Sequence, residues 1–168
     1  MDSDKILIVY LSRTKNTKAV AEMIHEKVGG TLVSLELEIP YPEDYGAIVA
    51  QVAQENETGY LPPLKTKIEI SQYETVFVGF PTWGMQLPPP MKTFLSENDL
   101  SGKTVIPFNT NAGYGIGSSF ESVEELCPES NILEGYSTTG DGILFVMEGE
   151  KEVEVRTAVN NWLSDLGF

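Results

Sequence analysis

Three stretches of the chain are apolar almost without interruption: Ile6 to Leu11, Thr75 to Phe80 and Thr104 to Phe108. Continuous apolar runs with β-branched members mark strands covered on both faces, as in a parallel sheet. Pro107 in the third run cannot donate to a ladder and argues against a central position, but the run still reads as a strand. Residues 31–39 behave differently. Leu35, Leu37 and Ile39 alternate with Ser34, Glu36 and Glu38, which leaves one face wet and places this strand at a sheet edge. Residues 131–137 read as a second edge strand.

Between the strands the period changes to that of a helix. Val20, Met23, Ile24 and Val28 form an amphipathic stripe, with Asn16 or Thr17 as cap and Gly29-Gly30 as terminator. Residues 45–57 carry Ile48, Val49, Val52 and Ala53 inward. Met91, Phe94 and Leu95 follow Pro88-Pro89-Pro90, and prolines suit a helix start. Phe120, Val123 and Leu126 mark a fourth helix, and Val155 to Leu166 a last one. Within 138–149, Ile143 to Met147 fits a further strand. This alternation predicts one α/β domain over residues 1–168, with a doubly wound, five-stranded parallel sheet of order 2-1-3-4-5 and helices on both faces. Ligands in such sheets sit beyond the carboxyl ends of the strands, where the order reverses between strands 1 and 3. The loops there are 12–17, 81–90 and 109–117.

The formal net charge of -14 over 168 residues sharpens the choice of partner. Nucleic acid and anionic membrane would be repelled, whereas a basic protein partner would be steered inward. The single cysteine, Cys127, allows no intrachain disulfide and no cysteine-type zinc site, which fits a reducing compartment. The first apolar run is too short for a signal or membrane segment, so the expected location is cytoplasmic. The lone histidine, His25, falls off its helix stripe and reads as a surface residue.

The loops narrow the chemistry further. Ser12 to Thr17 lacks the glycines and the Lys-Ser/Thr pair of a P-loop, and Gly113 to Gly117 has the wrong spacing for a dinucleotide fingerprint. Cys127 lies far from the loop after strand 1, and no acidic residues close that strand. Nucleophilic and metal chemistry both lack parts, so no side chain is assigned a catalytic role and the chemistry falls to a cofactor. Loop 12–17 suits a phosphate, because it runs into a helix N-terminus. Trp83 and Tyr114, each beside a glycine in a ligand-end loop, suit a planar ring, at about 1 kcal/mol per contact beyond area burial. Phosphate and planar ring together point to FMN.

Tyr10-Leu-Ser-Arg-Thr-Lys-Asn-Thr17 resembles the phosphate loop of flavodoxins, Val78-Gly-Phe-Pro-Thr-Trp-Gly84 resembles their second loop, and Phe108 to Gly115 resembles the third. The resemblance implies a flavodoxin-like fold, tight noncovalent FMN and electron transfer through oxidised, semiquinone and hydroquinone states. It places the phosphate on Ser12, Arg13, Thr14, Lys15, Asn16 and Thr17. It sets the ring against Pro81, Thr82, Trp83, Gly84 and Met85 on one side. On the other side stand Asn109, Thr110, Asn111, Gly113, Tyr114 and Gly115. The peptide at Gly84 corresponds to the one that turns its carbonyl to flavin N5. Two departures stand out: Lys15 replaces the family's usual glycine, and Asn109-Thr-Asn-Ala-Gly113 replaces its Thr/Ser-Gly-Gly pattern. The resemblance leads us to expect a monomer or weak dimer that carries electrons and docks a basic redox protein, a reductase or an acceptor. The alternatives are an NAD(P)H-dependent quinone or other acceptor reductase on the same fold, and a flavin-free binding module.

Overall fold

The computed structural model describes residues 2–139 and 149–168. The strand proposed at 143–147 lies outside the described residues. Strands β1 (Ile6–Tyr10), β3 (Thr75–Pro81) and β4 (Thr104–Asn111) form the centre of a parallel sheet, with β2 (Thr31–Ser34) beyond β1 and β5 (Asn131–Ile132) beyond β4, so the order is 2-1-3-4-5. A segment β6 (Tyr136–Thr139) continues along the same outer edge of β4.

Both faces of the central strands are buried, which is why their sequences show no polar alternation. Leu7, Val9, Val76, Val78, Phe80 and Val105 share one core with helices α3 (Pro89–Glu97) and α4 (Ser119–Leu126). Ile6, Ile8, Phe77, Ile106 and Phe108 share the other with α1 (Asn16–Val28) and α5 (Gly149–Asp165). Gly79 is required by packing, since a Cβ there would stand 2.1 Å from the Phe108 ring.

Three sequence expectations need correction. The edge strand read over 31–39 ends at Ser34. Leu37 instead forms an antiparallel bridge with Leu64, and Ile39 is exposed. The last edge strand read over 131–137 is broken into β5 and β6. The break faces Pro107. The Asn131 and Leu133 amides donate to the Lys103 and Val105 carbonyls, so odd-numbered residues of β4 face this edge, and there Pro107 has no N–H to offer. Gly135 passes so close that a Cβ would lie 2.6 Å from the Pro107 carbonyl oxygen. Pro107 therefore occupies a central strand without breaking its inner ladder to β3. The third correction concerns α2 (Tyr45–Thr58). Ile48 and Val52 are buried as expected, but Val49 and Ala53 are exposed.

Candidate flavin site

The loop after β1 is shaped by its backbone. Lys15 caps α1 in the left-handed conformation, φ 75°, and makes no side-chain capping bond. Ser12 does that work from upstream: its Oγ accepts the Lys18 N–H at 3.2 Å. Neither Asn16 nor Thr17 is the cap; both are helical and buried. The Thr17 hydroxyl instead meets that of Thr110 at 2.8 Å. Arg13 is exposed, with its guanidinium 5.4 Å from the centroid of the Tyr45 ring, a cation–π contact.

The loop after β3 is joined to the loop after β4 by direct bonds. The Thr82 N–H donates to the Thr110 carbonyl at 3.1 Å and the Thr82 hydroxyl to the Gly115 carbonyl at 3.0 Å. Asn109 donates through Nδ2 to the Phe80 carbonyl and to Thr82 Oγ1. Asn111 Oδ1 accepts the N–H groups of Gly113 and Gly115, while its Nδ2 donates to Asn109 Oδ1 and Ser137 Oγ. Asn109, Thr110 and Asn111 are buried, so their side chains are spent on holding the loops.

Trp83 to Gln86 closes a tight turn by two reciprocal backbone bonds, with φ 59° at both Gly84 and Met85. The Met85 carbonyl accepts the Ser118 N–H at 2.9 Å, which pins this turn to the start of α4. The ring of Trp83 packs edge-on against Tyr41 at 5.7 Å, and Tyr41 donates to the buried Glu55 at 2.6 Å. Burial, then the Glu55 hydrogen bond, holds the Tyr41 phenol well above its ordinary pKa. Tyr114, by contrast, is 81% exposed.

Between this turn and α2 lies a cleft of about 210 Å³. Arg13, Thr82, Trp83 and Gly84 line it on the loop side, and Tyr45, Ile48, Val49, Val52, Ala53 and Asn56 on the helix side. The helix side, together with Tyr41, escaped the sequence reading. Its signal was present in the adjacent pairs Ile48-Val49 and Val52-Ala53, an apolar stripe wider than one packing face uses. Cys127 is not among the residues lining the cleft; it is buried in the core shared with α3 and α4, and burial pushes its thiol up to about 11. His25 is half-buried at the end of α1, where Nδ1 lies 3.2 Å from the Gly29 carbonyl. No group of three or more His, Cys, Asp or Glu among the described residues is arranged to hold a metal, and no helix there is long and apolar enough to cross a membrane.

The flavodoxin sequence profile matches residues 5–143. The chain belongs to the flavodoxin family. No curated protein matches it. Among solved structures, a protein from Bacteroides eggerthii assigned as a flavoprotein shares 30% identity, with 98% of each chain covered and a TM-score of 0.78. A similarly assigned protein from Bacteroides uniformis shares 26% identity over 97% of this chain and 99% of its own, with a TM-score of 0.79. A Lactobacillus acidophilus flavoprotein solved in complex with FMN shares the fold at 21% identity, with 80% and 93% covered and a TM-score of 0.71.

Within this flavodoxin, Lys15 keeps the conformation for which glycine is the usual choice, so the backbone course of the loop survives the substitution. The Asn-Thr-Asn departure in the third loop is likewise structural: Asn111 gathers two amides that would otherwise be free to face a ligand.

Proposed function

We propose that this chain binds FMN and carries electrons one at a time between protein partners. The observation that carries the proposal is the convergence of three loops beside one aromatic-walled cleft. The hydroxyl pair Thr17–Thr110 and the Thr82–Thr110 and Thr82–Gly115 bonds tie the ends of β1, β3 and β4 together. Arg13 and Trp83 both line the adjoining cleft.

The residues present fit the cofactor. The N-terminus of α1 offers partial positive charge and its first amides to a phosphate, with Arg13 and Lys15 exposed nearby. The same loop contributes Ser12, Thr14, Asn16 and Thr17. Pro81 and Met85 frame the Trp83 turn. The Ile48, Val49, Val52 and Trp83 surfaces suit an apolar ring. Bound there, FMN supplies the one-electron chemistry. The protein's part is to hold the phosphate, shield the ring and present an acidic surface that steers a basic redox partner, with a rate that falls as salt rises.

One observation favours the second reading, an NAD(P)H-dependent acceptor reductase. Tyr114 stands out in solvent and leaves space on its side of the site. Two measurements separate the readings. The carrier is yellow when purified, shows the spectrum of one-electron-reduced flavin at half reduction, and turns over slowly with NADH or NADPH and a quinone. Rapid steady-state turnover with those substrates would replace the carrier with the reductase, and a protein that takes up no flavin would remove both.

A further inference from the structure

Lys92 projects from α3 beneath the Trp83–Gln86 turn and has a role that its place in the helix does not require. Its ammonium donates to Asn56 Oδ1 on α2 at 3.2 Å and to Gln86 Oε1 in the turn at 3.1 Å. Both acceptors are neutral. The ion pairs among the described residues engage Lys5, Lys18, Lys65, Lys67, Lys151 and Arg156, and Lys92 is not among them. In a chain of net charge -14, a half-buried cation held by two amides and by no carboxylate among the described residues is unusual, because burying an unpaired charge costs free energy. Desolvation accordingly lowers its pKa.

The bond also decides which way Asn56 faces. With Oδ1 turned to the ammonium, the Asn56 NH2 group must point the other way, and Asn56 lines the cleft. There Nδ2 would be 3.4 Å from a Cβ placed on Gly84. A positive charge thus stands one amide removed from the edge of the cleft at Gly84, and it aims a hydrogen-bond donor into that cleft.

We infer that Lys92 tunes the flavin: acting through Asn56, it favours the negative charge that builds on the ring when it is reduced. This rests on the reading of the cleft as an FMN site. Lys92 is a positioning and electrostatic residue, placed to offset the acidic surface that would otherwise oppose reduction.

The test compares the wild type with Lys92→Met and Lys92→Arg, measuring dissociation constants for oxidised and for fully reduced FMN by quenching of the protein's tryptophan fluorescence under anaerobic conditions. In Lys92→Met the preference for reduced over oxidised FMN falls about tenfold, the scale of one unit charge acting across a partly buried site. Lys92→Arg keeps the charge and restores most of that preference. A residue that merely braces α2 against α3 would weaken both forms alike, and an unchanged ratio in Lys92→Met overturns the inference while leaving FMN binding intact. A loss of preference that Lys92→Arg does not restore overturns it as well. Wild-type protein that takes up no FMN overturns this inference and the proposed function together.

Discussion

The hydroxyl of Thr17, in the first turn of α1, lies 2.8 Å from the hydroxyl of Thr110, near the carboxyl end of β4. The two residues are 2% exposed, so one bond between them joins the segment after β1 to the third loop without competition from water. Thr17→Val should destabilise the protein by about 1–2 kcal/mol, because it strands the buried Thr110 hydroxyl. The double variant Thr17→Val/Thr110→Val should cost less than the sum of the singles, since it leaves no orphan. Urea unfolding midpoints of the four proteins measure this directly. Additive costs would mean that the pair is not coupled.

Gly117 is where the second loop meets the start of α4. A Cβ there would stand 2.0 Å from the Met85 carbonyl oxygen, and its φ is 56°. Gly117→Ala therefore combines a clash with rigid backbone and a left-handed conformation, and should cost about 2–4 kcal/mol. Gly113 has φ 106° but nothing within 4 Å of a Cβ, so Gly113→Ala should cost only the backbone strain, about 1–2 kcal/mol. Thermal unfolding separates the two. The Gly117 variant alone should also shift the Trp83 fluorescence, because it alone displaces the turn that carries Trp83.

The contrast between those glycines shows what the sequence made legible. Ile6 to Leu11 and Thr75 to Phe80 declare central strands because burial on both faces removes polar alternation within the run itself. The three ligand-end loops declare themselves by composition, and Trp83 by its Thr-Trp-Gly neighbours. What could not be read depends on partners distant in sequence. Nothing around residue 133 shows that Pro107 will break the edge strand there. Nothing near Trp83 names Tyr41 or Glu55 as its support, and the exposure of Val49 follows from where α2 sits against the Trp83 turn. The sequence offers Asn109 and Asn111 as candidate site residues, and their buried hydrogen bonds make them the frame of the loops.

Lys15 holds φ 75° at the start of α1, a conformation that costs a residue with a β-carbon roughly 1–2 kcal/mol. Lys15→Gly should therefore raise the unfolding free energy by about 0.5–1 kcal/mol, the relief of strain being partly offset by the greater freedom of glycine in the unfolded chain. Lys15→Ala keeps the strain and should leave stability within about 0.5 kcal/mol of wild type. Both remove the charge. A shared loss of FMN affinity that fades at high salt would assign the ammonium to the phosphate, and chemical denaturation at matched ionic strength reads the strain separately.

Burial in the core beside α4 holds the Cys127 thiol at about 11, against an ordinary value of 9.0. The sign of its effect on stability follows from proton uptake. Between those two values the unfolded chain has released the thiol proton and the folded chain has kept it, so unfolding is favoured as pH rises. The contribution is fully present below about pH 9 and is lost through pH 11. By pH 10.5 about 2 kcal/mol of it has been lost. Tyr41, also raised by burial, adds a slope of the same sign at higher pH, so the wild-type curve alone cannot isolate the thiol. Cys127→Ala does so: its unfolding free energy should fall by about 2 kcal/mol less than that of the wild type between pH 8 and pH 10.5. Parallel curves for the two proteins would show that the thiol is accessible and titrates as in the unfolded chain.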